Sequence, residues 1–354
     1  MAEQAKKRLE WLDLAKGIGI IAVVWGHTYC PGWNRVYVFH MAFFMILSGY
    51  TYNAKDSFPR FLLKKVKSIY IPFVFWNILF TLMQVSRNHA GEGFLPILGE
   101  CWKKIRLILL ALDKNGQYLG ATWFLASLFL ICIAYKLLDT LLPLKYLHPV
   151  ILMAVFSGLA LLGFLVTLPF MQSRTLILSA FYALGVLMRY YRVELERFLK
   201  PTLGFLCLFL FIILAPHTNG NMGQNQYRNP GIFILTCLTM SIALICFMMW
   251  LGNRRLAVWQ VVRAPLRLLG RRSMDILIWQ FVMFRLVTVF QFLKEGASFR
   301  SIFNRVICGS TFIHNTDGIN CFIYLAVGLI LPVLWCKLLR SGPWGWILQK
   351  LYIV

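Results

Sequence analysis

The first apolar stretch of the chain reads WLDLAKGIGIIAVVWGHTYC, from Trp11 to Cys30. As a helix it is long enough to cross about 30 Å of hydrocarbon, and similar runs recur along the whole sequence. Hydrophobic residues make up 59% of the chain and charged residues only 14%, against about half and a quarter in soluble domains. This composition excludes a water-soluble protein. It predicts an all-α membrane bundle, because a helix satisfies its own backbone hydrogen bonds in lipid.

Ten apolar runs of this length are predicted to be membrane-spanning helices. They lie at residues 12–30, 35–53, 69–86, 122–139, 147–168, 174–190, 201–215, 231–250, 274–293 and 320–340. The stretch 98–112 is a candidate for an additional interfacial or re-entrant piece. Neither an internal repeat nor a soluble domain interrupts the pattern. We therefore expect residues 1–354 to form a single integral-membrane domain in contact with membrane lipids.

Most of the basic residues that give the net charge of +23 lie in the segments between the predicted spans. Most basic residues fall in segments on the same side as both termini, which predicts a cytoplasmic N-terminus and C-terminus. Basic segments beside an anionic leaflet account for the charge, so nucleic acid is not an expected partner. The nine cysteines form no CxxC pair, and no metal cofactor is expected. The expected location is the bacterial cytoplasmic membrane.

Three ionisable residues in the first span, Asp13, Lys16 and His27, are the first candidates for function, because ionisable groups inside a membrane are costly. At about 100° per residue, Lys16 and His27 lie within about 20° of one face and about 16 Å apart along the axis, and Asp13 is close to the same line. A neutral histidine suits the deprotonation of a hydroxyl. The alternative is a structural histidine, with Asp13 and Lys16 reaching the inner interface.

Further candidates lie in the next two spans. His40 is expected at the depth of His27, where it either joins a site or holds the intervening turn. Lys64 and Lys67 stand one helical turn apart on the cytoplasmic side, as a phosphate cradle or as ordinary positive-inside charge. Gly49 permits close packing of the second span against another helix.

Two later features also leave alternatives open. The predicted outer loop HTNGNMGQNQYRNP, residues 217–230, is either a plain connector or a binding surface for a hydroxyl-rich ligand, since amides both donate and accept hydrogen bonds. Arg285 lies within a predicted span, where it serves either structural pairing or contact with substrate.

Several motifs follow one another in the first 80 residues: LDLAKGIGIIAVVWGH (12–27), FHMAFFMILSGY (39–50) and a basic run before IPFVFW (71–76). Together they resemble the membrane acyltransferase-3 family, in particular its fucose 4-O-acetylase-like branch. In that family a basic residue precedes a histidine with ten residues between them, as Lys16 precedes His27. A second basic motif matches Lys64 and Lys67, and Trp123 opens a WFL sequence of the family's style. The resemblance is strong over residues 9–80 and mainly topological beyond them.

The resemblance implies an O-acyltransferase that takes acetyl from cytoplasmic acetyl-CoA and passes it to a sugar hydroxyl of a lipid-linked or cell-surface glycan. His27 is then the catalytic base, and Lys16, Lys64 and Lys67 hold the cofactor phosphates. A homo-oligomer is compatible with this function.

The sequence departs from the family pattern at several positions. Ala42 stands where the family commonly has proline, and Gln280 stands where it often has histidine. Gln280 can orient a sugar but cannot titrate. The basic positions carry lysine where arginine is usual, so phosphate would meet point charges and not bidentate forks.

A transporter or flippase for a glycan or lipid is the alternative function. Ionisable or polar residues inside late spans, such as Asp275, Gln280 and Arg285, would suit a transport pathway. Such proteins are typically built from repeats with broken helices at matching positions, and the sequence shows neither. The enzyme is therefore the favoured interpretation.

Overall fold

The computed structural model describes residues 9–88, 94–142, 148–218, 220–254, 256–343 and 345–351. These residues form an all-α bundle, as predicted. Its helices are α1 (Glu10–His27), α2 (Trp33–Tyr50), α3 (Phe58–Lys65), α4 (Ile71–Asn88), α5 (Phe94–Ala111), α6 (Trp123–Leu141), α7 (His148–Leu165), α8 (Ser173–Tyr190), α9 (Arg192–Glu196), α10 (Pro201–Leu214), α11 (Pro230–Gly252), α12 (Gln260–Arg271), α13 (Ser273–Lys294), α14 (Phe299–Ile302), α15 (Asn320–Ser341) and α16 (Gly345–Lys350).

Each of the ten predicted spans coincides with a helix, although residue 147 at the start of one span lies outside the described residues. Within the described ranges, five helical segments are long and apolar enough by themselves to cross a membrane. They are Phe58–Arg87, Gly120–Leu141, Pro230–Gly252, Ser273–Lys294 and Asn320–Ser341. The membrane bundle is thus confirmed, while the number of spanning helices and the orientation of the termini stay predictions.

Helix α1 defines the two ends of the bundle, which we call the Lys16 end and the His27 end. Ion pairs join four helices, α1, α12, α13 and α15, at the Lys16 end. These pairs are Arg271 with Asp13 (3.0 Å), Arg340 with Asp275 (2.7 Å) and Arg263 with Glu10 (2.6 Å). The start of α1 and the end of α15 therefore lie at the same end, as termini on one side of a membrane require.

Helices α2 and α8 cross with their backbones in contact. A Cβ atom added at Gly49 would meet the carbonyl oxygen of Tyr182, and one added at Gly185 would meet that of Ile46. Such an approach is possible only where both helices carry glycine at the crossing. The predicted close packing at Gly49 is confirmed. This contact with α8 sets the orientation of α2 within the bundle.

The segment between α5 and α6 is irregular apart from one 3₁₀ turn, Gly120–Thr122, and is partly buried in the bundle. Asn115 is 5% exposed, and its backbone N–H donates to Oδ1 of Asn77 at 2.6 Å. Its side-chain amide donates to Thr81 (3.2 Å) and Gln84 (2.8 Å) of α4. Buried irregular backbone is stable only when side chains satisfy its polar groups in this way. The segment carries Lys114 to the His27 end.

We expect Gly185→Ala to lower the thermal stability of the purified protein. The added methyl group would collide with a backbone carbonyl of α2, which cannot move aside as the end of a flexible side chain can. Overpacking of this kind lowers the free energy of unfolding by about 1–3 kcal/mol. The measurement is the unfolding temperature in detergent. Gly158→Ala in α7 is the control, because a Cβ there has open space and alanine favours helix. Equal unfolding temperatures for the two variants would contradict the backbone contact between α2 and α8.

Candidate active site

A cavity of about 230 Å³ opens beside His27 at its end of the bundle. His40, Tyr37, Trp123 and Phe281 line it together with His27. These residues come from four helices: α1, α2, α6 and α13. The structure therefore brings His27, His40 and Trp123, which the sequence singled out separately, into one site.

Two neighbours hold the His27 ring. The hydroxyl of Tyr37 lies 2.6 Å from Nδ1 of His27, and the Phe281 ring is 4.8 Å away and tilted edge-on. Tyr37 can come this close because Gly26 has no side chain: a Cβ there would lie 2.9 Å from the tyrosine ring. With Nδ1 engaged by Tyr37, Nε2 is the nitrogen that remains to bind a ligand proton.

His40 both lines the cavity and bonds within its own helix. Its Nδ1–H donates to the carbonyl oxygen of Val36 at 2.7 Å, and the ring of Tyr37 lies between the two imidazoles, 5.2 Å from His40. Donation to a carbonyl fixes the tautomer, so neutral His40 carries its lone pair on Nε2. The site thus contains two imidazoles whose orientation is set by hydrogen bonds at Nδ1.

The amide-rich loop folds back over the same cavity. Asn221 and Gln226 pair as an antiparallel bridge, which turns the loop into a short hairpin between α10 and α11. The hairpin places Asn221 and Gln224 in the cavity wall, and Met222 inserts into the core with 1% of its surface exposed. Asn219 lies outside the described residues. The loop is therefore a wall of the site and not a plain connector.

Arg174, at the start of α8, holds this hairpin in place. Its guanidinium donates to the carbonyl oxygen of Gly223 at 2.8 Å and stacks 4.0 Å from the ring of Trp123. Arg174 is only 6% exposed, so both contacts form away from bulk water, where a cation–π contact is strongest. Trp123 therefore supports the site in two ways: it lines the cavity, and its ring packs against the guanidinium of Arg174.

A second cavity of about 280 Å³ lies toward the Lys16 end. Lys16 and Lys65 contribute positive charge to its wall, and Ser68 and Ser273 contribute hydroxyl groups. Met41 of α2 lines this cavity and the His27 cavity alike. The two cavities thus meet at one side chain, and both lie along the face of α1 that carries Lys16 and His27.

The basic run before α4 contributes Lys65 to this cavity. Lys64 points elsewhere and pairs with Asp56 at 2.7 Å, which holds the pKa of that carboxyl below its usual value. Lys67 also lies outside the cavity wall. Ser68 and Ile69, three and four residues after Lys65, line the cavity with it, whereas Lys67 is two residues after Lys65 and falls on the opposite side of a helix. The predicted cofactor role of Lys64 and Lys67 stays a prediction.

Asp13 and Arg285 both have structural partners outside the cavities. Asp13 is 3% exposed and pairs with α12 through Arg271. The guanidinium of Arg285 donates to backbone carbonyls of Gly309 (3.0 Å) and Gln117 (2.9 Å). Arg285 thereby links two irregular segments to α13. Of the two roles considered for Arg285 from the sequence, these contacts agree with structural pairing.

Gln280 is fully buried on α13, between Leu277 in the wall of one cavity and Phe281 in the wall of the other. Its Nε2 makes one long hydrogen bond, 3.4 Å, to the carbonyl oxygen of Leu277. Its Oε1 has no hydrogen-bond partner among the residues described. A buried amide with spare capacity is uncommon and suits contact with a polar ligand group.

Sequence reasoning missed several residues of the two cavities. Tyr37 stands one helical turn before His40, so helical spacing alone pointed to it. Lys65 belongs to the basic run, but the run by itself does not show which of its lysines faces the cavity. Arg174 and Phe281 carry no local signal, because their roles depend on contacts between helices far apart in sequence.

Comparison with known proteins identifies the family of the chain. Residues 9–340 match the sequence profile of the family described as an acyltransferase domain, so the chain belongs to the membrane acyltransferase-3 family.

Two similar proteins are the nodulation protein NolL of Mesorhizobium japonicum (strain LMG 29417 / CECT 9101 / MAFF 303099) and the nodulation protein NolL of Sinorhizobium fredii (strain NBRC 101917 / NGR234). Each is 24% identical over 255 residues, or 67% of this chain. The alignment covers 55% of the first protein and 56% of the second, so this chain spans about half the length of the curated relatives it matches. No solved structure matches the chain.

We expect Arg174→Ala to loosen the hairpin over the His27 cavity. Loss of a charged hydrogen bond worth about 1.5–3 kcal/mol raises the open population about tenfold or more. Amide hydrogen exchange of residues 220–226, followed by mass spectrometry, measures this change. Arg228→Ala, at an exposed position of the same hairpin, is the control. Unchanged exchange in Arg174→Ala would contradict the anchoring role.

Proposed function

We propose that this protein is an O-acetyltransferase of the bacterial cytoplasmic membrane. It moves an acetyl group from cytoplasmic acetyl-CoA to a hydroxyl of a sugar in a cell-surface or lipid-linked glycan. The observation that carries the proposal is the pair of cavities along one face of α1, one with Lys16 and one with His27, which meet at Met41. This arrangement suits a long donor that is anionic at one end and reactive at the other.

The Lys16-end cavity is the proposed donor site. Lys16 and Lys65 offer ammonium groups for the phosphates, while Ser68 and Ser273 offer hydroxyl groups. Ammonium groups act on phosphate as point charges, so they neutralise it without demanding one fixed orientation. The apolar wall toward Met41 suits the uncharged arm that carries the thioester. Lys64 and Lys67 lie outside this wall and would add to the positive field at its entrance.

The His27 cavity is the proposed reaction site. The scheme uses the His27 tautomer in which Nδ1–H donates to the hydroxyl oxygen of Tyr37, 2.6 Å away, because Nε2 is then free to accept the proton of the acceptor hydroxyl. The acceptor oxygen attacks the thioester carbonyl, and the carbon–sulfur bond breaks. The imidazolium then returns its proton to the leaving thiolate, so the products are the acetyl ester and free CoA. Tyr37 is a positioning residue in this scheme, because it acts through His27.

The acceptor side of the cavity is suited to a sugar. Asn221 and Gln224 of the hairpin offer amide groups that donate and accept hydrogen bonds, and Trp123 and Phe281 offer aromatic surface. His40, with its fixed tautomer, offers an acceptor nitrogen beside them. Such a wall matches a ligand with hydroxyl groups on a ring that also has apolar faces.

Two of the three residues that would suit a transporter, Arg285 and Asp275, have structural partners. Arg285 binds backbone carbonyls, and Asp275 is paired with Arg340 at 2.7 Å. Neither lines the two cavities. Their presence inside the bundle therefore lends no support to a transport pathway, and the acyltransferase remains the better supported function.

We expect His27→Ala to reduce acetyl transfer about 100-fold to 10,000-fold, because general bases contribute a factor of this size. The measurement is transfer of radiolabelled acetyl from acetyl-CoA to surface glycan in membranes that hold equal amounts of folded protein. His217→Ala is the control, since that imidazole is exposed on the same end of the bundle. Turnover within a few fold of wild type in His27→Ala would exclude the base assignment.

We expect Lys65→Ala to raise the KM for acetyl-CoA about tenfold or more, because a charged hydrogen bond to phosphate is worth about 1.5–3 kcal/mol. Lys64→Ala is the matched control: it removes the neighbouring lysine, which pairs with Asp56 outside the cavity. The measurement is the rate of acetyl transfer as a function of acetyl-CoA concentration. An equal rise in both variants would mean that the basic run acts only through its overall charge.

A further inference from the structure

A cleft of about 470 Å³ adjoins the His27 cavity on its outward side. It lies between the first turn of α2 and the hairpin. Tyr37 and Asn221 line both the cleft and the His27 cavity. The cleft and the His27 cavity are therefore adjacent, with two residues common to their walls.

Three aromatic rings, each in contact with the next, connect the wall of the cleft with that of the His27 cavity. The Trp33 ring lies 5.0 Å from that of Tyr29 and 5.6 Å from that of Tyr37, edge-on to both. Trp33 lines the cleft, Tyr29 lines the His27 cavity, and Tyr37 lines both. Trp33 is half-buried, so part of its apolar surface stays available to a ligand.

The polar groups of the cleft include one that lacks a partner. Thr218 is 4% exposed, and its hydroxyl has no hydrogen-bond partner within the described part of the chain. Burial of an unbonded hydroxyl is unfavourable, and native proteins avoid it unless water or a ligand completes the bond. Gln226 and Asn34 add amide groups to the same wall. The cleft thus has aromatic surface beside unused hydrogen-bonding capacity.

We propose that this cleft is a second sugar subsite, which binds the unit next to the sugar that is acetylated. The inference rests on the proposed function and names its acceptor class: an oligosaccharide or longer glycan, in preference to a single sugar. A sugar ring offers an apolar C–H face to Trp33 and hydroxyl groups to Thr218 and the amides. A lipid chain would leave these polar groups unbonded.

The test uses the host's own surface polysaccharide, cut by partial hydrolysis and separated into fragments of one, two, three and more sugars. Full-length protein in membranes transfers radiolabelled acetyl from acetyl-CoA to each fragment. We expect fragments of two or more sugars to have a KM about tenfold lower than that of the single sugar, which corresponds to one good contact set of about 1.4 kcal/mol.

Two variants locate the effect in the cleft. Thr218→Val keeps the shape of the side chain and removes the hydroxyl, and Trp33→Ala removes the aromatic surface. In both, the ratio of KM between the single sugar and longer fragments is expected to fall toward one. Thr202→Val, exposed at the start of α10, is the control and retains the wild-type ratio.

The possible outcomes separate this inference from the proposed function. Labelling of wild type that is independent of fragment length would contradict the subsite while leaving the acetyltransferase intact. The same holds if length matters but both variants keep the full ratio. Absence of labelling in every fragment would contradict the proposed function, and the subsite with it.

Discussion

Close packing around α1 is the constraint on which the site depends. Helices α2, α11, α12, α13 and α15 all contact α1, and a Cβ atom at Gly17 would collide with the backbone of α12 at Leu266. At the other end of α1, Gly26 leaves room for the ring that bonds His27. Glycine thus allows neighbouring residues to approach α1 closely. The two cavities lie along the same helix, beside Lys16 and His27.

Irregular segments form much of the wall around His27, and each is held by a buried polar side chain. Asn77 binds the backbone of the segment after α5, and Arg285 binds that segment at Gln117 and a second segment at Gly309. Arg174 binds the hairpin. Burial of these polar groups costs free energy, and their hydrogen bonds offset that cost. The site is therefore built on loops whose positions are set by charge and amide contacts from the helices.

The arrangement would separate the tasks of the proposed acyl transfer along the length of one helix. In that proposal, positive charge lies where the anionic part of the donor would bind, and imidazoles lie where the hydroxyl would react. Met41 lines the two cavities alike. The aromatic and amide-rich cleft shares Tyr37 with the His27 cavity. The proposed donor, reaction and acceptor positions are thus adjacent.

The sequence alone determined the membrane class, the helical bundle and the family, because apolar length and the Lys16–His27 spacing are local properties of the chain. It also placed His27 and His40 at one depth, since a short turn joins their helices. It did not show that Lys65, and not Lys64 or Lys67, lines the cavity beside Lys16, because that depends on how the basic run packs against other helices. Nor did it show that the hairpin forms a wall beside His27, or that Arg174 holds it there. Those features arise from contacts between distant segments, and only tertiary packing decides them.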